Sequence, residues 1–298
     1  MSTGGLLQLK SAAARSSGPD APDLVVVAGG NVQAYDIDGT TFNTVGNSSS
    51  VMGGTITQTN LLAISALDDT SIAVCNRDTS ANWDLVKFEF DGTDWNQVGN
   101  RLEVPGVGAT NKFVAAMGPD ACVTLDDGNN MRWYEFDGTD WAQVGNTFTG
   151  VNGEAACALS QTRVAVARTN TLTVYDWDGT DFSSVASVFT AATLRAVTAL
   201  DEDTIMTIRA GGSNLLLAYE LSGGTLSNVA NTSVPSGAFH GLAAIAPSDF
   251  VYANFAAGTL QIYDWDGASW TTLGSAFSKA VSEGQPICSC SYRLNSAP

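Results

Sequence analysis

Tyr175–Phe182 reads YDWDGTDF, and variants of this phrase return at five other places: YDIDGTTF from Tyr35, FEFDGTDW from Phe88, YEFDGTDW from Tyr134, YELSGGTL from Tyr219 and YDWDGASW from Tyr263. Successive starts lie 53, 46, 41, 44 and 44 residues apart by subtraction. A period in that range marks a radial or stacked array of one supersecondary unit.

The unit can be read outward from the phrase. Before YDWDGTDF stand the short run AACALS, a polar turn, the strand pattern RVAVAR and a second turn; after it DFSSVA continues as a more polar strand. These are four strands, a to d, in a meander, with Asp-Gly between c and d as a hairpin signal of the type I′ kind. Strand c is apolar on both faces, with Leu172 and Val174 against Tyr175 and Trp177. A sheet with two apolar faces needs cover on both sides. Meanders set around an axis cover one another, so the expected fold is all-β: a six-bladed β-propeller of four-stranded antiparallel blades over residues 23–298, preceded by a flexible or docking tail, residues 1–22.

The ends carry the closure. The first repeat holds only b, c and d patterns, DLVVVA, VQAYDI and TFNTV, while QPICSCSYRLNSAP near the other end matches strand a alone. The expectation is that Ile287, Cys288, Ser289 and Cys290 lie beside Leu24, Val25, Val26 and Val27, so that the C-terminal strand completes the N-terminal blade and removes the open seam.

The repeat resembles the kelch family of propellers. Kelch units carry a Gly-Gly pair after strand b, then a Tyr followed by a Trp one short hairpin later. Phe88 with Trp95, Tyr134 with Trp141 and Tyr263 with Trp270 keep that spacing, and the pair survives as Gly29–Gly30 and Gly211–Gly212. The resemblance implies a ring used for protein interaction. WD-repeat propellers, with a histidine in each repeat, are less similar, because His240 is the chain's one histidine.

The formal charge of −17 arises from 13 Lys and Arg against 30 Asp and Glu. Phosphate backbones and anionic membranes both demand clustered basic residues, so neither a nucleic acid nor a membrane is an expected partner. The sequence has no apolar run of the roughly 18 residues that a span needs, and the N-terminal stretch lacks the pattern of a secretory signal. Five cysteines in apolar runs read as reduced core thiols.

The meander puts a–b and c–d turns on one face of the ring. Asp38, Asp68, Asp69, Asp91, Asp94, Asp120, Asp137, Asp140, Asp178, Asp181, Asp201, Glu202, Asp203, Asp249 and Asp266 fall there, opposed by Arg163 and Arg293. The other face is mixed. Its Arg77, Arg101, Lys112, Arg168, Arg195, His240 and Lys279 form the candidate binding set, since loops of varied length diversify there.

Chemistry is sparse. Asp-x-Asp-Gly-Thr-Asp at Asp176–Asp181 looks like a calcium loop, but about six to eight converging oxygens are required, and turn chemistry explains it better. It is similar to the Asp-box of sialidase propellers, one residue too short. The acids after each aromatic, Asp36, Glu89, Glu135, Asp176, Glu220 and Asp264, suggest a shared backbone or inter-blade bond rather than catalysis. A Ser-His-Asp triad would have to use His240, and Cys288-x-Cys290 lacks zinc-site spacing, so no catalytic residue, metal or cofactor is expected. A glycan-binding or glycan-cleaving alternative would draw on Asp126, Asp127 and Glu154 as carboxylates and on Trp133, Trp177 and Trp265 for stacking.

Gly4, Gly5, Leu6, Leu7, Gln8 and Leu9 spell GGLLQL. The phrase resembles the start of major capsid proteins of large icosahedral DNA viruses, whose jelly-roll body is absent here. The resemblance implies a tail that docks on a protein assembly, a viral capsid shell, and a virion location. A cytoplasmic location is the alternative.

Overall fold

A computed structural model describes residues 22–28, 31–50, 61–77, 83–104, 111–126, 128–190, 192–209, 215–234, 240–254, 257–278 and 287–289. These residues form strands and turns with no helix. Blade I comprises β1 (Leu24–Ala28), β2 (Asn31–Asp38) and β3 (Thr41–Ser50). Blade II comprises β4–β7 (Leu61–Ala66, Ser71–Arg77, Trp83–Phe90, Trp95–Val104), and blade III β8–β11 (Asn111–Gly118, Ala121–Asp126, Asn130–Phe136, Trp141–Thr149). Blade IV comprises β12–β15 (Gly153–Ser160, Arg163–Arg168, Thr171–Trp177, Phe182–Phe189), and blade V β16–β19 (Leu194–Ala199, Thr204–Arg209, Leu215–Ser222, Thr225–Ser233). Blade VI comprises β20–β23 (His240–Ala244, Asp249–Asn254, Thr259–Trp265, Trp270–Ser278), and β24 (Ile287–Ser289) returns to blade I.

Six antiparallel four-stranded sheets result, and the order in blade I is β24-β1-β2-β3. The register is Leu24 to Ser289, Val25 to Cys288 and Val26 to Ile287, so the expected closure is present; Cys290 lies outside the described residues. The c strands carry the core between blades. Leu24, Val26 and Tyr35 of blade I pack with Val251, Leu260 and Ile262 of blade VI. Innermost strands are small where six of them crowd the axis: Ala66, Ala116, Ala158, Ala199, Ala244 and Ser289 share one register position.

Closure leaves a second mark. In blades II to VI the N–H near the end of strand c donates to the a–b turn: Phe90 to Thr70, Phe136 to Asp120, Trp177 to Thr162, Leu221 to Asp203 and Trp265 to Ser248, at 2.7–2.8 Å. Blade I has no a–b turn, because its a and b strands come from opposite ends of the ring's chain. The Asp23 carboxylate takes the place of the missing carbonyl and accepts from Ile37 N–H at 2.8 Å.

The c–d turns correct one expectation. Asp-Gly does not form two-residue type I′ hairpins in blades II, III, IV and VI, because Phe90 pairs directly with Trp95, Phe136 with Trp141, Trp177 with Phe182 and Trp265 with Trp270, leaving four residues in the loop. Each first aspartate instead accepts two backbone N–H groups through Oδ1: Asp91 from Thr93 and Asp94, Asp137 from Thr139 and Asp140, Asp178 from Thr180 and Asp181, Asp266 from Ala268 and Ser269. Only the following glycine then needs positive φ, which is +94° to +100° at Gly92, Gly138, Gly179 and Gly267. Blade V alone turns on two residues with positive φ, Gly223 and Gly224.

Candidate functional site

The turn face is where the recurrent carboxylates gather, and their geometry shows how they are used. The four capping aspartates are fully solvated, yet the N–H groups aimed at each hold its carboxyl below the usual Asp range. These donors converge on Oδ1 of each first aspartate, which is the geometry of a turn cap.

The second aspartate of Asp-Gly-Thr-Asp has a separate role. Strand d of blades I, II and III carries Val-Gly-Asn, at 45–47, 98–100 and 144–146. In each, three residues of strand d oppose one of strand c, an enlarged bulge, called wide below for its three residues, with glycine at φ +63° to +68°. The bulge throws the asparagine against the c–d turn of the next blade. Asn47, Asn100 and Asn146 donate their backbone N–H to Thr93, Thr139 and Thr180 carbonyls at 2.7–2.8 Å. Their Nδ2 groups donate to Asp94, Asp140 and Asp181 at 2.9–3.1 Å. A Cβ on Gly46, Gly99 or Gly145 would collide with the same threonine carbonyl and with Phe90, Phe136 or Trp177. Three interfaces are thus clasped.

The acids after the aromatics share no common bond, contrary to expectation. Glu135 accepts from Trp133 Nε1 at 3.1 Å, Asp176 pairs with Arg163 in two hydrogen bonds of 2.6 and 2.9 Å, and Glu89 lies 3.7 Å from Lys87. Their cross-strand partners differ in each blade: Ser71, Ala121, Arg163, Thr204 and Asp249 for Glu89, Glu135, Asp176, Glu220 and Asp264. Lys87 is a cation of this face that turn positions in the sequence do not reveal. Buried on strand c of blade II, it reaches across to Asp120 at 3.0 Å and sits 5.0 Å from the Phe136 ring centre of blade III. Trp133 occupies the same register one blade on and stacks on Trp177 at 5.2 Å and 4°, so one position supplies a cation–π contact and then a ring stack.

A cleft of about 300 Å³ opens on this face beside the Trp133 stack, with Met117 and Phe136 at its base and Asp120, Glu135 and Gln161 around it. Trp133, Trp177 and Trp265 are nevertheless core residues, buried against neighbouring rings, and not exposed stacking platforms.

The mixed face does not assemble the candidate set. Arg101 pairs with the buried Asp84 at 3.1 Å, Arg168 reaches the Gly150 carbonyl at 3.5 Å, and Arg195 is exposed on strand a of blade V. Arg77, Lys112 and His240 stand on described strands with their side chains outside the described residues; Lys279 and residues 4–9 lie outside altogether. Asp126, one of the candidate carboxylates, is buried, bonded to Arg132 at 2.6 Å and to Asn130 N–H and Nδ2. Those partners engage both of its oxygens within the protein. Glu154 begins the inner strand of blade IV, and Asp127 lies outside the described residues. Among the described residues no group of three metal-ligating side chains converges. Among the described residues three thiols are structural: burial pushes Cys75 up to about 12 and raises Cys122 and Cys157, which keeps them protonated.

No family model matches the chain, and no curated protein is similar to it. Solved structures share its shape. A chain of the nidogen/laminin complex matches with a TM-score of 0.62 and 9% identity over 90% of this chain and 98% of that one. A putative 6-phosphogluconolactonase from Bacteroides fragilis matches at 0.63 and 9%, over 91% and 98%. A functionally unknown protein from Desulfotomaculum acetoxidans matches at 0.60 and 12%, over 91% and 90%. At such identities the likeness concerns fold, and the neighbours' differing names show how many tasks one ring accepts.

Proposed function

We propose that this chain is a non-catalytic interaction propeller, attached through its N-terminal segment to a larger protein assembly. One observation carries the reading: most of the turn carboxylates that recur along the chain, the natural source of catalytic acids and bases in so acidic a chain, are taken up by turn caps in four blades, clasps at three interfaces and the Asp176–Arg163 ion pair. What the repeats build is a stiff platform. The nidogen/laminin neighbour belongs to a protein complex, which agrees with partner binding. The assembly we favour is a viral capsid shell, because GGLLQL at residues 4–9 resembles the start of capsid proteins, and the described strands, from Leu24 onward, already make six four-stranded sheets. Kelch-type function, binding without turnover, fits the same reading.

Deleting residues 1–22 from the full chain is expected to leave the thermal transition unchanged and to abolish co-sedimentation with particles from the native source. Retained co-sedimentation would remove the tail's role. Detectable hydrolysis in a glycoside screen by the wild type, absent in an Asp126→Asn variant of unchanged melting temperature, would overturn the non-catalytic reading.

A further inference from the structure

We infer that the outer rim of blades IV and V is a self-association surface, and that its occupant is a second copy of this chain. The large apolar side chains that stand exposed among the described residues are Phe189 at 70%, Val229 at 39% and Val185 at 37%, and all three lie on β15 and β19. Phe189 ends β15 in regular register opposite Thr171, and the two valines are exposed for one structural reason. In blades IV and V the wide bulge is replaced by a narrow one with a single extra residue, and those extra residues are Val185 and Val229. The c–d turn between them, Ser222-Gly223-Gly224-Thr225, has no aspartate, and it lies against β15, with a Cβ on Gly224 falling 3.6 Å from the Val185 carbonyl. Phe182–Phe189 carries no charged residue, proline or glycine.

The uncharged rim segment is complementary to itself, and this selects a second copy as its occupant. Two chains of −17 that met through their turn faces would set rows of carboxylates against each other. A two-fold axis through the uncharged rim sets apolar against apolar, as an isologous contact requires. Beyond the bulge, Ala186–Phe189 runs in regular register with β14, and β15 is the outermost strand of its sheet, so its outward main-chain groups can pair with the same segment of a second copy. The wide bulges of blades I, II, III and VI break that edge. So short a contact makes a concentration-dependent dimer rather than an obligate one.

Sedimentation velocity of the full chain over a range of concentrations, at low and high salt, tests the inference. The expected result is a monomer–dimer equilibrium that tightens with salt as repulsion between the acidic chains is screened, and that weakens at least about tenfold in Phe189→Lys, where like charges meet across the axis. Thr149→Lys places the same charge at the equivalent register of blade III and is expected to leave the equilibrium unchanged. Val185→Ser is the second variant should Phe189→Lys melt early. A monomer at every concentration, a dimer that loosens with salt, a dimer indifferent to both rim variants, or one lost only on removing residues 1–22 would each overturn the inference.

Discussion

Blades I to IV and blades IV to I are joined differently, although one repeat wrote them all. At the I/II, II/III and III/IV interfaces, glycine in a wide bulge lets asparagine grip the next blade through two hydrogen bonds. At IV/V and V/VI the glycine is Ala186 or Ala230, the bulge narrows, and no such bond forms among the described residues. VI/I is intermediate: Gly274 keeps the wide bulge and packs on Thr40, but Ser275 and Thr41 stand where Asn and Asp would be. The clasp therefore needs three matched residues in two repeats. Half of the ring has them, and the other half instead shows its apolar rim.

The strongest way to break this comparison is at the bulge. Gly145→Ala places a Cβ on the Thr180 carbonyl and the Trp177 ring at a φ of +68°, and is expected to cost about 2–4 kcal/mol in chemical denaturation. Ala230→Gly, at the matching place in blade V, is expected to cost less than about 1 kcal/mol, the flexibility term alone. Equal losses would show that the bulge carries no special strain.

A smaller effect tests the clasp itself. Asn146→Ala removes one inter-blade bond and should cost about 1 kcal/mol, whereas Asn231→Ala, at the matching place in blade V, should cost close to nothing. Pulsed thiol labelling sharpens the contrast: Cys75 and Cys122 are buried together in the core of the II/III interface, and Asn100→Ala is expected to speed their modification while Asn231→Ala leaves it unchanged.

The smallest effect is the pH response of the caps. Asp91, Asp137, Asp178 and Asp266 titrate below a free Asp, so their stabilisation is complete above the unfolded value near about 3.9 and is lost as pH falls through the depressed one. The melting temperature should stay level from neutral pH to about 5 and drop below about 4. Asp178→Asn, which keeps an acceptor but cannot titrate, should flatten that drop slightly. A Ser222→Ala change in blade V, whose turn uses two glycines, should not alter it.

Much of the fold was legible in the chain, for local reasons. Alternation in strands such as RVAVAR and the return of the aromatic phrase demanded stacked four-stranded sheets, and the orphan a strand at residues 287–289 demanded a partner at residues 24–26. The site reading fared less well. Trp133 and Trp177 looked the same as exposed platforms or core rings, because sequence distance says nothing about what a neighbouring blade places 5.2 Å away. The second aspartate of Asp-Gly-Thr-Asp looked like turn material, although a signal was present: Val-Gly-Asn occurs in three repeats, and the repeat after each carries Thr-Asp in its c–d turn.

The amino-acid sequence alone determined the repeat, the number of blades and the strand that closes the ring, since periodicity and apolar alternation act within one unit and specify it locally. The tertiary structure alone decided which carboxylates grip a neighbour, which arginines are already paired, and where the rim is bare. Those outcomes depend on a bulge of one residue or three, and on side chains 35–47 positions apart in the chain meeting within hydrogen-bond reach.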